Sequence, residues 1–190
     1  MMPTRRGSAV TARARKVRLL VMDVDGVLTD GRMALSERGD ELKSFSSRDG
    51  IAVALARRAG LTTALVTGES STIGKVRGTR LGIDHVLLGA RRKGESVDQL
   101  MREHGLLPEA VAYVGDDLLD IPALQRCGLA VAVADAAPEV RTVAHFVTRA
   151  RGGQGVVREL VELILRAQGV WTSTVDKYVE EHGGRSLSES

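Results

Sequence analysis

The chain has 190 residues, 43% of them hydrophobic, with a mean hydropathy of −0.04 and a formal net charge of +3 at pH 7. These values are typical of a soluble globular chain that is long enough to bury its own core, and we expect one domain. A single cysteine, Cys127, excludes an internal disulfide and a cysteine-based zinc site, which fits a reducing compartment. Because no apolar run is long enough to span a membrane or to form a secretory signal, we expect a cytoplasmic protein.

The positive charge is concentrated at the N-terminus. Residues 1–16 carry five basic side chains and no acidic one; removing those five from the 27 basic residues leaves 22 against 24 acidic residues. The body of the chain therefore lacks the basic surface that nucleic-acid phosphates need, and aromatic residues for base stacking make up only 3%. We expect no nucleic-acid partner, and we predict that residues 1–16 form a disordered basic arm.

Apolar runs and turn residues predict strands along the chain. Residues 19–22 read as a buried strand, and residues 31–45 alternate around a tight turn as a β-hairpin does. The remaining predicted strands are short apolar runs at residues 61–68, 84–89, 111–116, 129–135 and 145–148.

Helices are predicted between these strands. One begins at Asp49, a plausible N-cap, and stops at Gly60, and another begins at Ser70 or Ser71 and runs to about residue 81. The others have apolar positions at helical spacing and lie at 93–105, at 118–126, at 138–144 and around Val157, Leu160, Val161 and Ile164.

Strands and helices alternate with short connections. This alternation predicts an α/β fold: a Rossmann-like parallel sheet with helices on both faces, plus the hairpin after the first strand. The segments between residues 28 and 68 and between residues 67 and 93 are too short for a lid, so we expect no cap domain. We place the domain at residues 17–168 and a polar C-terminal tail at residues 169–190.

Polar residues stand where the predicted strands end. They are Asp23 and Asp25 after the first strand, Thr67 after the next core strand, Lys93 at a helix start, and the group Asp116, Asp117 and Asp120. Converging carboxylates are tolerated only with a cation or a basic side chain among them, and an oxygen-only set favours Mg²⁺. A carboxylate beside Mg²⁺ can attack phosphorus, and a second carboxyl can protonate the leaving alkoxide and then activate water.

Four motifs carry a resemblance to a known family. DVDGVLTDG, LVTG, Lys93 and GDDLLD resemble the haloacid dehalogenase superfamily of aspartyl-phosphate hydrolases. The resemblance implies that Asp23 is the nucleophile and Asp25 the acid/base. It also implies Mg²⁺ on Asp23, Asp116 and the Asp25 carbonyl. By the same resemblance Thr67, Gly68 and Lys93 bind phosphate, and Asp117 and Asp120 support the metal and the lysine.

Further stretches resemble one group within that superfamily, the phosphatases of 2-keto-3-deoxy sugar acids. They are FSSRDG, VAYVGDDLLDIPAL, VAVADAAPEV and VTRARGGQGVVREL. The resemblance implies a role in lipopolysaccharide sugar synthesis, a homo-oligomer (a homotetramer), and contacts of Arg48 and the 152–155 loop with the sugar acid.

Two departures leave the sugar open. Glu69 and Gln154 stand where phosphatases of the eight-carbon octulosonate 8-phosphate have arginine. Phosphatases of nine-carbon nonulosonate 9-phosphates resemble this chain at Glu69, where they have the sequence TGE. They have a basic residue about one helix later, which Arg80 would supply here. A carboxylate cannot bind the substrate's carboxylate as arginine does.

Other function classes compete with this interpretation. A phospho-receiver domain uses similar residues, but it places its acidic pair before the phosphorylated aspartate and its lysine last, unlike this chain. A catalytically idle assembly module would not need all four motifs. Phosphotransferase or mutase activity differs only in the acceptor and stays open.

Overall fold

The computed structural model describes residues 5–187; what was predicted for residues 1–4 and 188–190 lies outside that range. The strands are β1 Leu19–Met22, β2 Ala34–Leu35, β3 Glu41–Leu42, β4 Thr62–Val66, β5 His85–Leu87, β6 Val111–Gly115, β7 Leu129–Ala132 and β8 Phe146–Val147. The helices are α1 Arg5–Ala14, α2 Ser47–Arg58, α3 Thr72–Leu81, α4 Lys93–His104, α5 Ile121–Leu124, α6 Pro138–Val143, α7 Val156–Gln168 and α8 Trp171–Glu181. None of the helices within 5–187 is long and apolar enough to cross a membrane.

Six parallel strands form the central sheet in the order β5-β4-β1-β6-β7-β8. The first strand is therefore the middle one, and its last residue, Met22, lies opposite Leu65 of β4 and Val114 of β6. Because parallel strands end at one edge of a sheet, the residues after β1, β4 and β6 are brought together there.

Every residue of β1, β6 and β7 is buried, which requires cover on both faces of the sheet. Around α7 pack α1, α2 and α8, and around α5 pack α4 and α6. The predicted α/β fold, a parallel sheet covered by helices, is confirmed.

The predicted hairpin is also confirmed. Strands β2 and β3 pair antiparallel, with Leu35 opposite Glu41, and the turn is closed by a hydrogen bond from Ser36 N to Asp40 O of 2.9 Å. Gly39 supplies the positive φ of 82° that this turn uses. In the described chain nothing but the hairpin and α2 lies between β1 and β4, so no cap domain is inserted there.

The predicted disordered arm is wrong for residues 5–14, which form α1. Val10 and Ala14 are buried one helical turn apart, and α1 packs on α7. Two basic side chains bind backbone carbonyls of the domain: Arg13 donates to Gly128 O at 2.6 Å, and Arg15, just after the helix, donates to Ala167 O at 3.0 Å. Tertiary packing thus stabilises a helix that is too short to be stable by itself.

The C-terminal segment also differs from the predicted polar tail, because Trp171–Glu181 is a helix that packs on α2 and α7. The guanidinium carbons of Arg158 and Arg166 lie 5.0 and 5.3 Å from the centroid of the Trp171 ring. Such cation–π contacts hold a helix that looks polar in sequence.

Two helix starts can be compared with their predictions. Ser71 caps α3, accepting a hydrogen bond from Ile73 N, as predicted. Asp49 is not the N-cap of α2, which begins after Ser46. Instead Asp49 is buried in the first turn and accepts a hydrogen bond of 2.9 Å from Arg158 N, at the start of α7. A carboxylate is favoured there because the first backbone N–H groups of a helix lack internal partners.

Candidate active site

A cleft of about 270 Å³ opens at the carboxyl edge of the sheet, beyond β1, β4 and β6. The structure brings nine of the predicted site residues to its wall: Asp23, Asp25, Thr67, Gly68, Glu69, Lys93, Asp116, Asp117 and Asp120. Gly31, Met33 and Leu119 complete the lining.

Asp23 continues directly from β1 and donates its backbone N–H to Val114 O of β6 at 3.1 Å, so its position is fixed by the sheet. It is 5% exposed. After Asp23 the chain makes a tight helical turn, in which Leu28 N donates to Val24 O at 2.9 Å. This turn places Asp25 on the same side of the cleft, half-buried.

Lys93, the first residue of α4, points into the cleft with a buried side chain. Its Nζ lies 2.8 Å from Asp23 Oδ1 and 2.6 Å from Asp120 Oδ1. The other oxygen of Asp120 accepts the backbone N–H groups of Asp116 and Asp117, at 2.9 and 3.2 Å. Asp120 therefore ties the lysine to the loop after β6.

The buried carboxylates repel one another. Burial and then the charge of Asp120 raise the pKa of Asp23 to about 7, although Lys93 acts to lower it. Burial, Asp120 and Asp23 raise the pKa of Asp116 to about 8. Burial alone would lower the pKa of Lys93, but the charges of Asp23 and Asp120 outweigh it and raise that pKa. The cleft has more negative charge than its lysine can neutralise.

The residues present fit a hard divalent cation. Carboxylate oxygens of Asp23, Asp116 and Asp120 lie within 4.8 Å of one another, and all are oxygen donors. Both Asp120 oxygens already accept hydrogen bonds, whereas no described residue donates one to the Asp116 carboxylate. Gly26, with φ 80°, passes so close to that carboxylate that a Cβ would overlap it. Among the three, the carboxylate without a described donor is therefore that of Asp116.

The loop after β4 forms the opposite wall. Thr67 is 3% exposed, and its hydroxyl oxygen accepts a hydrogen bond of 3.2 Å from Glu69 N. The backbone of Thr67 is held on both sides, donating to Leu87 O at 3.0 Å and accepting from Ala90 N at 2.8 Å. A Cβ at Gly68 would lie 2.8 Å from Leu119 Cδ2, the end of an exposed side chain, so the two loops approach each other closely here.

The predicted substrate residues are not all in the cleft. Glu69 lines it and is exposed, whereas Arg48, Arg80 and Gln154 are exposed outside it. Arg80 lies in a neighbouring groove between the hairpin and α3. Gln154 belongs to a loop that packs on the turn after β1, where Gly153 N donates to Val27 O at 3.0 Å.

Besides the lining residues Gly31, Met33 and Leu119, two polar residues that contact the site aspartates were not predicted. Tyr113, in the middle of β6, donates its hydroxyl to Asp120 Oδ1 at 2.6 Å; a tyrosine in a buried strand is the available signal, because its hydroxyl needs a partner. Lys43, on the hairpin, lies 2.8 Å from Asp25 Oδ1 and 3.1 Å from Glu41 Oε1. Burial acts to lower the pKa of Lys43, but its hydrogen bonds to Asp25 and Glu41 raise it overall.

The comparisons with known proteins agree with this geometry. Residues 81–160 match the family model of the haloacid dehalogenase-like hydrolases. Over 160 residues the chain is 44% identical to the 3-deoxy-D-manno-octulosonate 8-phosphate phosphatase of Escherichia coli strain K12, covering 84% of this chain and 85% of that protein. The chain belongs to the haloacid dehalogenase-like hydrolases. As a member of that family with such relatives, it is a phosphatase.

Solved haloacid dehalogenase-like structures share its fold. A probable phosphatase from Pseudomonas syringae is 44% identical with a TM-score of 0.88, covering 90% of this chain and 97% of that one. The 3-deoxy-D-manno-octulosonate 8-phosphate phosphatase of Moraxella catarrhalis, in complex with magnesium, phosphate and KDO, is 33% identical with a TM-score of 0.86, covering 89% and 97%. A cobalt-bound phosphatase from Haemophilus influenzae is 37% identical with a TM-score of 0.80, covering 84% and 95%.

Proposed function

We propose that this chain hydrolyses the phosphate ester of a 2-keto-3-deoxy sugar acid, 3-deoxy-D-manno-octulosonate 8-phosphate, through an aspartyl-phosphate intermediate. The observation that carries the proposal is the convergence of Asp23, Asp25, Thr67 and Lys93 on one cleft. The relatives named as phosphatases of this sugar acid support the substrate.

In the first step a carboxylate oxygen of Asp23 attacks phosphorus while the bond from phosphorus to the sugar oxygen breaks. Asp25 gives its proton to the departing alkoxide. In the second step Asp25 takes a proton from water, whose oxygen attacks phosphorus and releases inorganic phosphate and the free Asp23 carboxylate. Lys93, 2.8 Å from Asp23 Oδ1, orients the nucleophile.

Charge on the transferred group is stabilised by the residues around it. Thr67, Gly68 and Lys93 provide donors for the phosphoryl oxygens, and Asp120 and Asp117 hold the lysine and the loop after β6 in place. A bound Mg²⁺, held by Asp23, Asp116 and the backbone carbonyl of Asp25, would neutralise the charge that develops on those oxygens.

A second candidate substrate is a nine-carbon nonulosonate 9-phosphate. The observation that favours it is the exposed carboxylate of Glu69 on the cleft wall, which can accept hydrogen bonds from sugar hydroxyls but repels a carboxylate. Arg48, Arg80 and Gln154 would contact the sugar only beyond the cleft described above. As the resemblance implies, a neighbouring subunit of a homo-oligomer would cover the capless site.

A phosphatase panel tests the proposal. Purified protein with Mg²⁺ is assayed for phosphate release from octulosonate 8-phosphate, nonulosonate 9-phosphates and hexose phosphates, with and without an alcohol as competing acceptor. We expect the highest kcat/KM on a sugar-acid phosphate, no transfer to the alcohol, and no activity in Asp23→Asn. Full activity of Asp23→Asn or in excess chelator would refute the mechanism, and a preference for hexose phosphates would refute the substrate class.

A further inference from the structure

The hairpin has an inverted distribution of polar and apolar side chains. Leu35 and Leu42 are 69% and 72% exposed, yet the Lys43 side chain beside them is 2% exposed. Burying an ammonium group is costly, and a lysine on a short surface hairpin can reach water by a simple rotation of its side chain. Here the carboxylates of Asp25 and Glu41 stabilise the ammonium and raise the pKa of Lys43, so the side chain turns inward to meet these two partners.

The buried ammonium is directed at one target. Lys43 Nζ lies 2.8 Å from both carboxylate oxygens of Asp25, and Glu41 Oε1, 3.1 Å away, supports it from the side. Apart from Lys43, the described side chain that donates to this carboxylate is Thr29, whose hydroxyl is 3.5 Å from Asp25 Oδ1. At that distance a hydroxyl contributes little, so the orientation of the Asp25 carboxyl depends on Lys43.

The second buried lysine of the site is already engaged. Lys93 contacts Asp23 and Asp120, and no described contact joins it to Asp25. The two aspartates that follow β1 therefore have separate lysines, one from α4 and one from the hairpin. Lys43 does not line the cleft but the neighbouring groove between the hairpin and α3, and its described contact with a cleft residue is the one to Asp25.

We propose that Lys43 is a positioning residue of the phosphatase reaction, which fixes the Asp25 carboxyl in the geometry needed for proton transfer. The inference rests on the proposed function, in which Asp25 is the acid/base. It assigns a role to the hairpin within a single subunit: the residue that follows β3 orients the acid/base. Because misplacing a proton-transfer group slows the chemical step but leaves ground-state binding intact, Lys43 contributes to kcat and not to KM.

The test is a double-mutant cycle in the full-length protein with saturating Mg²⁺. Lys43→Met is expected to lower kcat at least tenfold with KM within about twofold, and Lys43→Arg to recover part of that loss. The matched control is Lys75→Met, an exposed lysine of α3 with no described partner, which should leave kcat unchanged. In an Asp25→Asn background, Lys43→Met should change the residual kcat by less than about twofold, because Lys43 acts only through Asp25.

Each outcome decides one question. An unchanged kcat in Lys43→Met, or an equal loss in the Asp25→Asn background, would overturn the positioning role. A rise in KM without a fall in kcat would also overturn it, because that pattern means direct substrate contact. If Lys43→Met does not fold, Lys43→Gln, which keeps a polar end, is judged by the same criteria. Full activity of Asp25→Asn alone would instead refute the proposed function.

Discussion

Lys93 and Tyr113 both contact the same oxygen of Asp120, each at 2.6 Å. Together with the two backbone N–H groups on the other oxygen, they give this fully buried carboxylate a partner at every side. Asp120 therefore holds Lys93 beside Asp23 even without a ligand. A substitution of Asp120 should lower both the free energy of unfolding and the activity.

We expect Tyr113→Phe to lower the free energy of unfolding by about 1–3 kcal/mol, because it removes a donor from a buried carboxylate. Urea denaturation measures the change. Tyr178→Phe is the matched control, since the Tyr178 ring stacks on His182 and no described residue bonds to its hydroxyl. Equal losses in the two variants would contradict the role given to the Tyr113 hydroxyl.

The stability of the metal-free protein should fall as pH rises. Asp23 and Asp116 have pKa values raised to about 7 and 8, so between pH 4 and 8 the folded state binds more protons than the unfolded chain, and the free energy of unfolding decreases with pH. Mg²⁺ should raise the melting temperature more at pH 8.5 than at pH 6, because it does not have to displace protons there.

Thermal unfolding of chelator-treated protein at the two pH values, with and without Mg²⁺, checks this expectation. The control is the double variant Asp23→Asn/Asp116→Asn, which lacks both titrating groups. Its melting temperature should not depend on pH and Mg²⁺ in this way. A pH response that is the same in the control would show that other groups cause it.

Gly26→Ala should weaken Mg²⁺ binding at least tenfold, because the new Cβ would overlap the Asp116 carboxylate and displace it. Gly39→Ala is the control: it has nearly the same φ, 82° against 80°, but nothing within 4 Å of the added Cβ. Both variants bear a backbone strain of about 1 kcal/mol from a side chain at positive φ, and Gly26→Ala bears the overlap with Asp116 in addition, so its melting temperature should fall further. Calorimetric titration with Mg²⁺ then separates them, and equal affinities would refute the placement of Asp116.

Glu69→Arg should shift the substrate preference towards the eight-carbon sugar acid. A carboxylate accepts hydrogen bonds from hydroxyls, whereas arginine binds a carboxylate, so the ratio of kcat/KM for eight- and nine-carbon substrates should change about tenfold, or about 1.4 kcal/mol. A ratio that moves by less than about twofold would mean that Glu69 only favours the N-terminus of α3.

The strand-end residues of the site could be predicted because parallel strands end at one edge. Asp23, Thr67 and Asp116 follow adjacent strands of the sheet, and short apolar runs in the sequence were enough to place them there. The α1 helix could not be predicted, because a helix of this length depends on its packing against α7 and β7.

Contacts between segments that are distant in the chain could also not be predicted from the sequence pattern. Asp49 looks like a helix N-cap in sequence, but its carboxylate reaches Arg158 N, 109 residues away. Lys43 stands among alternating hairpin residues, and nothing local shows that it turns inward to Asp25. The roles of Arg48, Arg80 and Gln154 stay predictions, because none of them lines the cleft.

The two ends of the sheet have a consequence for self-association. Its outermost strands are the shortest, three residues in β5 and two in β8, so very little unpaired backbone N–H and C=O is presented to another chain. Long, regular edges act as templates for strand addition and aggregation, and short ones do not. The six-stranded sheet is thus poorly suited to extension by a strand of another chain at either of its ends.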